Sequence, residues 1–236
     1  MSPFGRSGVK QIALDIGLSA GPSVANFCAG PNLAALQHLE LWLGDKTTQL
    51  HRSPVPTYFW GPSGSGKTHL LKAAREGLRE QGARVGWLDA SVHNAPEYSE
   101  NWAAVLMDDV HAYTSAQQQV AFNWFVHAQT LQRPVMASGE FAPLELKLRD
   151  DLRTRLGWGH IFGLQLLSEA ERRAVLRQAA DDRGVFLSDE VMDFMLTRFS
   201  RDLGSLMELL ELLDGYSLQS KRAITIPMIK SMMENQ

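Results

Sequence analysis

Apolar and polar positions alternate in two different ways along the chain. In the first two thirds, five apolar runs of strand length are separated by longer stretches in which apolar residues recur at helical spacing. Apolar strands that alternate with helices predict a parallel sheet with helices on both faces. The predicted strands are TYFWG (57–61), RVGWLDA (84–90), AAVLMDDVH (103–111), RPVMASGE (133–140) and HIFGLQLL (160–167).

The stretches around these strands predict four helices. One side of the first helix is expected to face the sheet, because its leucines recur at helical spacing. These leucines are Leu33, Leu36, Leu39 or Leu41, and Leu43. The four helices are PNLAALQHLELWL (31–43), KTHLLKAAREGLREQG (67–82), AQQQVAFNWFVHAQTLQ (116–132) and, followed by a turn, the short LRDDLRTRLGWG (148–159).

The pattern becomes entirely helical after Ser168. In SEAERRAVLRQAADDRG, Ser168 and Glu171 have the spacing of a capping box, and Gly184 is a typical helix terminator. Ser188 begins a similar helix, and the segments 201–221 and 226–234 complete the helical part. These patterns predict three units, which are a flexible arm (1–24), an α/β domain (25–167) and a small all-α domain (168–236).

Composition narrows the class of protein. The 236 residues are 44% hydrophobic, and no apolar run has the length of a membrane span or a secretory signal. Cys28 is the single cysteine, which excludes an internal disulfide and fits a cytoplasmic protein. It is better interpreted as a small buried hydrophobic residue than as a nucleophile. The net charge of −3 lacks the basic bias of a free-standing DNA binder, so contact with DNA is expected to be weak or indirect.

The segment GPSGSGKTH (61–69) carries the strongest chemical signal. Gly61, Gly66, Lys67 and Thr68 match the phosphate-loop pattern between a predicted strand and a predicted helix. The glycines let backbone N–H groups point at phosphate oxygens, Lys67 can reach the β- and γ-phosphates, and Thr68 can hold Mg²⁺. Nucleotide binding is therefore predicted, with the rest of the site formed by Pro62, Ser63, Gly64, Ser65 and His69.

Two aspartates end the third predicted strand. Asp108 is expected to hold the magnesium, usually through water, although an acidic turn after a strand would look the same. Asp109 could orient an attacking water. Its side chain is shorter than the glutamate often found at this position.

The motifs together resemble the initiator clade of AAA+ ATPases and, within it, the Hda family of DnaA-related regulators. The resemblance implies a phosphate-loop AAA+ three-layer domain with a parallel sheet, a small all-α lid domain, and ADP or ATP with Mg²⁺ as cofactors. The DnaA initiator continues into a DNA-binding domain, whereas this sequence ends at Gln236, which implies a nucleotide module without a DNA reader. The resembling segments are NFCAGPNLAALQHL (26–39), YFWGPSGSGKTHLL (58–71), VLMDDVH (105–111), LRTRLGWG (152–159) and ITIPMIKSMM (224–233).

The resemblance assigns roles to particular polar residues. Arg155 matches the arginine finger, a guanidinium delivered to another subunit's γ-phosphate, with Arg153 as a nearby alternative. Arg201 matches the sensor arginine that contacts the bound nucleotide. Surface helix charges are the alternative interpretation of these arginines. The first sensor position falls at Ser138 or Glu140, and the sequence leaves the choice open.

The arm contains QIALDI (11–16), in which Gln11, Leu14 and Ile16 resemble the peptide that family members insert into the DNA polymerase sliding clamp. Apolar anchors in a pocket with one amide making polar contacts would provide the recognition. An edge strand is the alternative for this short apolar segment. A clamp that encircles DNA would supply the indirect DNA contact that the net charge suggests.

The resemblance implies a negative regulator of replication initiation. Docked on the DNA-loaded clamp, it would stimulate hydrolysis of DnaA-bound ATP and would be cytoplasmic and nucleoid-associated. An autonomous ATPase that uses Lys67, Thr68, Asp108 and Asp109 is an alternative, as is a helicase loader, and a small-molecule phosphotransferase is least favoured. The oligomeric state is left open, a homo-oligomer included, and no membrane partner is expected.

Overall fold

The computed structural model describes residues 21–44, 52–198, 203–220 and 224–234. The predicted clamp-binding residues Gln11, Leu14 and Ile16 and the predicted sensor residue Arg201 lie outside these ranges.

A five-stranded sheet forms the centre of the larger part of the molecule. All of its pairings are parallel, and the strand order is β2-β3-β4-β1-β5. The predicted parallel sheet is therefore confirmed, although the fifth strand ends four residues earlier than its sequence pattern suggests. The strands are β1 (Thr57–Trp60), β2 (Arg84–Leu88), β3 (Trp102–Met107), β4 (Val135–Gly139) and β5 (His160–Gly163).

Helices cover both faces of the sheet, as the alternating pattern predicted. One apolar core forms between the sheet and α1 and α2, and another between the sheet and α3 and α4. Leu39 and Leu71 are fully buried in the first core, and Phe125 and Leu152 are fully buried in the second. The helices are α1 (Leu33–Leu43), α2 (Lys67–Glu80), α3 (Ser115–Thr130) and α4 (Asp150–Leu156).

The buried face of α1 differs from the predicted leucine side. Leu33 is 51% exposed and Leu41 is 83% exposed. The buried positions are Ala35, Leu39 and Trp42, which follow the i, i+4, i+7 spacing of one helix face. The prediction was wrong for Leu33 and omitted Trp42, and of its alternatives Leu39 and Leu41 the buried one is Leu39.

The remaining helices form a core of their own. α5 begins with the predicted capping box, in which the Ser168 N–H donates to Glu171 Oε2 at 2.7 Å and the Glu171 N–H donates to Ser168 Oγ at 3.2 Å. Gly184 ends this helix with a φ of 67°, a conformation that favours glycine. The helices are α5 (Glu169–Asp182), α6 (Asp189–Arg198), α7 (Leu203–Ser220) and α8 (Ile226–Glu234).

The crossover from β2 to β3 contains no helix, although parallel strands are usually joined through one. Gln117 on α3 holds this crossover in place. Its Nε2 donates to the carbonyl oxygens of Asp89, Ala90 and Val92, at 3.3, 3.1 and 2.9 Å. Its Oε1 accepts from the N–H of Thr114 at 2.9 Å, so the same side chain also completes the N-terminal cap of α3.

Candidate functional site

The phosphate loop connects β1 to α2 at the carboxyl edge of the sheet. Gly61, Gly64 and Gly66 have φ values of 150°, 79° and 97°, which place them where side chains are disfavoured. A Cβ on Gly66 would lie 2.7 Å from the ring of Phe27, so the loop also needs glycine for close packing. The loop therefore has the curled backbone that directs N–H groups toward an anion.

Lys67 lies inside this loop. Its side chain is buried, and Nζ donates to the carbonyl oxygens of Gly61 and Pro62 at 2.9 and 3.0 Å. Burial lowers the pKa of Lys67, and the nearby carboxylates Asp109, Asp108 and Glu140 oppose that change.

The loop fits a phosphate group. The buried Ser65 hydroxyl has no hydrogen-bond partner among the described residues, and it lies directly before the N-terminus of α2. The unpaired N–H groups at the start of a helix carry partial positive charge and favour anions. Lys67, the Ser65 hydroxyl and these N–H groups would together surround the phosphates of a nucleotide.

The structure brings Thr68 and Asp108 together. Asp108 is 5% exposed and accepts hydrogen bonds from the side chains of Ser138, at 2.5 Å, and Thr68. Burial raises the pKa of Asp108, although both hydrogen bonds act in the opposite direction. Magnesium is commonly held by one or two protein groups plus phosphates and waters, which suits this pair.

A protein-only metal site is absent from the described part of the chain. No group of three or more His, Cys, Asp or Glu side chains there could hold a metal ion.

The ends of β3 and β4 are joined through Ser138. Its hydroxyl donates to Asp108 and accepts the N–H of Asp109 at 2.9 Å. Asp109 has a φ of 50°, unusual for a residue with a side chain, and its carboxylate is 45% exposed. Of the two residues proposed for the first sensor position, Ser138 is the one that contacts Asp108.

Glu140 lies at the rim of the site beside His111, which the sequence analysis did not single out. The Glu140 carboxylate lies 3.5 Å from His111 Nε2, and the Glu140 N–H donates to His111 Nδ1 at 3.2 Å. The acceptor role of Nδ1 places any single ring proton on Nε2, toward the carboxylate. The only sequence signal for His111 was its position at the end of the predicted strand AAVLMDDVH (103–111).

The chain before α1 packs onto the phosphate loop. The rings of Phe27 and His69 lie 5.4 Å apart, and His69 Nε2 lies 2.9 Å from the carbonyl oxygen of Ser23. Burial lowers the pKa of His69, the Ser23 carbonyl opposes this change, and Lys72 adds to it. His69, predicted as a nucleotide contact, is therefore next to the loop and enclosed by the N-terminal segment.

The same segment reaches the first helix of the all-α part. The Asn32 side chain donates to the Gln165 carbonyl at 2.9 Å and accepts the Gln165 N–H at 2.8 Å. Gly30 packs closely against Leu167 and Glu171. Cys28 lies nearby, and burial, followed by the charge of Glu171, raises the pKa of its thiol, as expected of an unreactive cysteine.

The predicted arginine finger lies in the last turn of α4. Arg155 Cζ lies 5.0 Å from the Trp158 ring, and the structure gives it no carboxylate partner within the described ranges. Arg153 pairs with Asp150 at 2.8 Å and is therefore neutralised locally. The predicted finger Arg155 and its alternative Arg153 thus differ in their surroundings, which are aromatic rings for Arg155 and a carboxylate for Arg153.

Among the residues that the structure describes, no helix combines the length and the apolar character needed to cross a bilayer.

Comparison with known proteins identifies the family. Residues 169–233 match the family model described as "Hda, lid domain". The chain is 33% identical over 233 residues to an uncharacterised protein of Haemophilus influenzae, covering 95% of this chain and 98% of that one. This chain belongs to the Hda-like family of DnaA-related proteins. The helices from α5 to α8 are therefore the Hda-type lid.

Solved structures support the AAA+ fold of this Hda-like chain. Domain III of the Thermotoga maritima replication initiation protein DnaA matches with a TM-score of 0.71, at 20% identity over 92% of this chain and 98% of that one. AMPPCP-bound DnaA from Aquifex aeolicus matches with a TM-score of 0.64, at 21% identity over 81% of this chain and 64% of that one. A Thermotoga maritima RuvB variant matches with a TM-score of 0.62, at 17% identity over 90% of this chain and 71% of that one.

Proposed function

We propose that this Hda-like protein binds ADP or ATP with Mg²⁺ and supplies Arg155 to the ATP of DnaA, which then hydrolyses it. In this role the chain is a negative regulator of replication initiation. The observation that carries the proposal is the state of Arg155, which lies at a helix end among aromatic rings and without a carboxylate partner in the described residues.

A finger must have its N–H donors available for phosphate oxygens. Arg149 is engaged by Asp151 at 2.6 Å, and Arg153 is engaged by Asp150 at 2.8 Å. Either arginine would have to leave a carboxylate before it could bind a phosphate, whereas Arg155 would not. Arg155 is therefore the arginine of this segment best suited to stabilise charge in another subunit's transition state.

The chain's own nucleotide is proposed to act mainly as a structural ligand. The segment that packs on the phosphate loop through Phe27 also lies against Glu171, in the first helix of the lid, through Gly30. A ligand that binds this arrangement stabilises it, because binding favours the conformation with the higher affinity. The Aquifex aeolicus DnaA relative is itself AMPPCP-bound, which supports a nucleotide in this fold.

Docking on the sliding clamp is proposed for the arm. Gln11, Leu14 and Ile16 would anchor the peptide QIALDI in the hydrophobic groove of the clamp. A clamp loaded on DNA would then bring the protein to DNA despite its net charge of −3.

The test is the rate of hydrolysis of DnaA-bound ATP in the presence of DNA-loaded clamp. Wild type should accelerate hydrolysis, and Arg155→Ala should remove most of the acceleration, since fingers contribute about 10³–10⁵-fold in related systems. Arg153→Ala is the matched control and should retain the activity. Deleting residues 1–20 should remove the part of the acceleration that depends on the clamp. An Arg155→Ala protein as active as wild type would overturn the proposal.

An autonomous ATPase remains the second candidate, because the loop is complete and Thr68 contacts Asp108. It predicts ATP turnover by the isolated protein that Lys67→Ala abolishes and Arg155→Ala leaves unchanged. Turnover that needs DnaA and Arg155 would instead favour the regulatory role.

A further inference from the structure

Trp158 follows α4 and is 60% exposed, a large apolar ring facing solvent. Its backbone position is fixed at two points. The Trp158 N–H donates to the Arg155 carbonyl at 3.2 Å, and the next residue, Gly159, lies so close to the Pro56 carbonyl that it has no room for a Cβ. The backbone that carries the indole is therefore held at a defined place relative to Arg155.

Three rings surround the Arg155 guanidinium, and we call them the aromatic cradle. Arg155 Cζ lies 5.0 Å from the Trp158 ring, 5.4 Å from Phe122 and 5.9 Å from Phe125. These distances are within the range over which a ring face attracts a cation, and indole is the strongest of the aromatic partners. Phe125 is buried and Phe122 is half-buried, so Trp158 forms the solvent-facing wall of the cradle.

Holding a guanidinium with rings differs chemically from holding it with a carboxylate. A carboxylate occupies N–H donors, whereas the face of a ring attracts the positive charge and leaves the five donors free. The rings also restrict the rotamers of the Arg155 side chain before it binds a phosphate. Binding a phosphate then costs less side-chain conformational entropy.

We propose that Trp158 is a positioning residue that holds Arg155 ready to stabilise charge on a neighbouring triphosphate. This inference rests on the proposed function. It predicts that the ring affects the maximal stimulated rate of hydrolysis and not the concentration of protein needed to reach half of that rate.

The experiment compares Trp158→Phe with Trp158→Leu in the DnaA hydrolysis assay. Phenylalanine keeps a ring, whereas leucine keeps apolar volume without one. We expect Trp158→Leu to lower the maximal rate by about two- to fivefold, the factor typical of an exposed cation–π contact, with an unchanged half-saturating concentration. Trp158→Phe should stay within about twofold of wild type. The Trp158→Leu effect should vanish in an Arg155→Ala background.

Two outcomes would overturn the inference. If Trp158→Leu raises only the half-saturating concentration, the ring contacts the partner and does not position Arg155. If both variants lose activity equally together with a fall in Tm, the ring has a structural role.

A second measurement separates failure of the inference from failure of the proposed function. In the isolated protein, the NMR signal of the Arg155 Nε–Hε group, assigned with Arg155→Lys, should show a ring-current shift that Trp158→Phe retains in part and Trp158→Leu reduces. If the Arg155 Nε–Hε signal is identical in wild type and Trp158→Leu, Trp158 does not position Arg155. This conclusion would hold even if Arg155→Ala abolishes the stimulation of DnaA hydrolysis. Absence of stimulation by wild type would refute the proposed function alone.

Discussion

Asp108 is the residue of the site whose charge is least compatible with its surroundings. Its carboxylate is nearly inaccessible to water, and burial raises its pKa above the usual 3.8 despite the hydrogen bonds from Ser138 and Thr68. A cation between Asp108 and a nucleotide phosphate would compensate that charge. Without one, ionised Asp108 destabilises the fold.

Asp108→Asn should therefore stabilise the nucleotide-free protein at neutral pH. Because the folded-state pKa is raised, the destabilisation by wild-type Asp108 is full above that pKa and disappears as the pH falls through it toward 3.8. Thermal unfolding should show a Tm about 2–4 °C higher for the variant at pH 7.5, which corresponds to about 1 kcal/mol, and a smaller difference at pH 4.5.

The exposed Glu97→Gln, in the crossover between β2 and β3, serves as the control for this effect and should not reproduce it. A Tm for Asp108→Asn below that of wild type at pH 7.5 would contradict the argument. The same variant should weaken Mg²⁺-dependent nucleotide binding, as expected where a functional charge lowers stability.

At the residue scale, the sequence predicted those candidate site residues that belong to a local motif. Lys67, Thr68 and Asp108 could be found because their spacing and strand context are specific to phosphate loops. The choice between Ser138 and Glu140 could not be made, because it depends on how β4 lies beside β3 in three dimensions. His111 was missed for the same reason, since its partner Glu140 is 29 positions away.

At the element scale, α3 does more than cover the sheet. The Gln117 side chain of α3 donates to three backbone carbonyl groups in the crossover from β2 to β3. Without Gln117 these three groups would lose that donor. Buried polar groups that lose a partner destabilise the fold by roughly 1–3 kcal/mol each, though such contributions are not additive.

Gln117→Ala should lower the free energy of unfolding by about 2–4 kcal/mol, because it removes the donor to the crossover and part of the α3 cap. Urea denaturation followed by circular dichroism would measure the change. Gln119→Ala, at an exposed position of the same helix, should change stability by less than about 0.5 kcal/mol. Equal effects of the two substitutions would show that the crossover does not depend on Gln117.

Most elements could be predicted from local signals, whereas their buried faces could not. The Ser168 capping box and the terminating Gly184 are determined by neighbours in sequence, and both were found. For α1 the pattern left Leu39 and Leu41 as alternatives and did not include Trp42, because only packing against the sheet decides which of these side chains are buried. The helix-free crossover had no local signal, since its partner Gln117 lies on a later helix.

At the scale of the whole molecule, the residues that the structure describes form three apolar cores. Two lie on the faces of the sheet and the third lies within the lid. The paired hydrogen bonds between Asn32 and Gln165 connect the segment over the phosphate loop to the chain that enters the lid. Nucleotide binding is expected to reinforce this connection.

Saturating ADP should raise the Tm of the protein. At about one hundred times Kd the stabilisation is about 2.7 kcal/mol, which corresponds to about 5–10 °C for a chain of this size. Differential scanning calorimetry would measure this shift in Tm. The same measurement on Asn32→Leu would show whether the lid then unfolds separately from the sheet. Lys67→Ala should show little shift, and the exposed Arg79→Ala in α2 should match wild type. A full shift in Lys67→Ala would contradict the assignment of the site.

Strand β1 links the two proposed chemical centres of the molecule. Its carboxyl end continues into Gly61, while the Pro56 carbonyl at its amino end accepts the His160 N–H at 2.8 Å and abuts Gly159. The strand is hydrogen-bonded to β4 on one side and to β5 on the other, so its four residues form a rigid segment about 13 Å long. The phosphate loop and the turn that carries Trp158 are therefore joined to opposite ends of one strand, and the sheet fixes the distance between the chain's own nucleotide pocket and the arginine proposed to act on its neighbour.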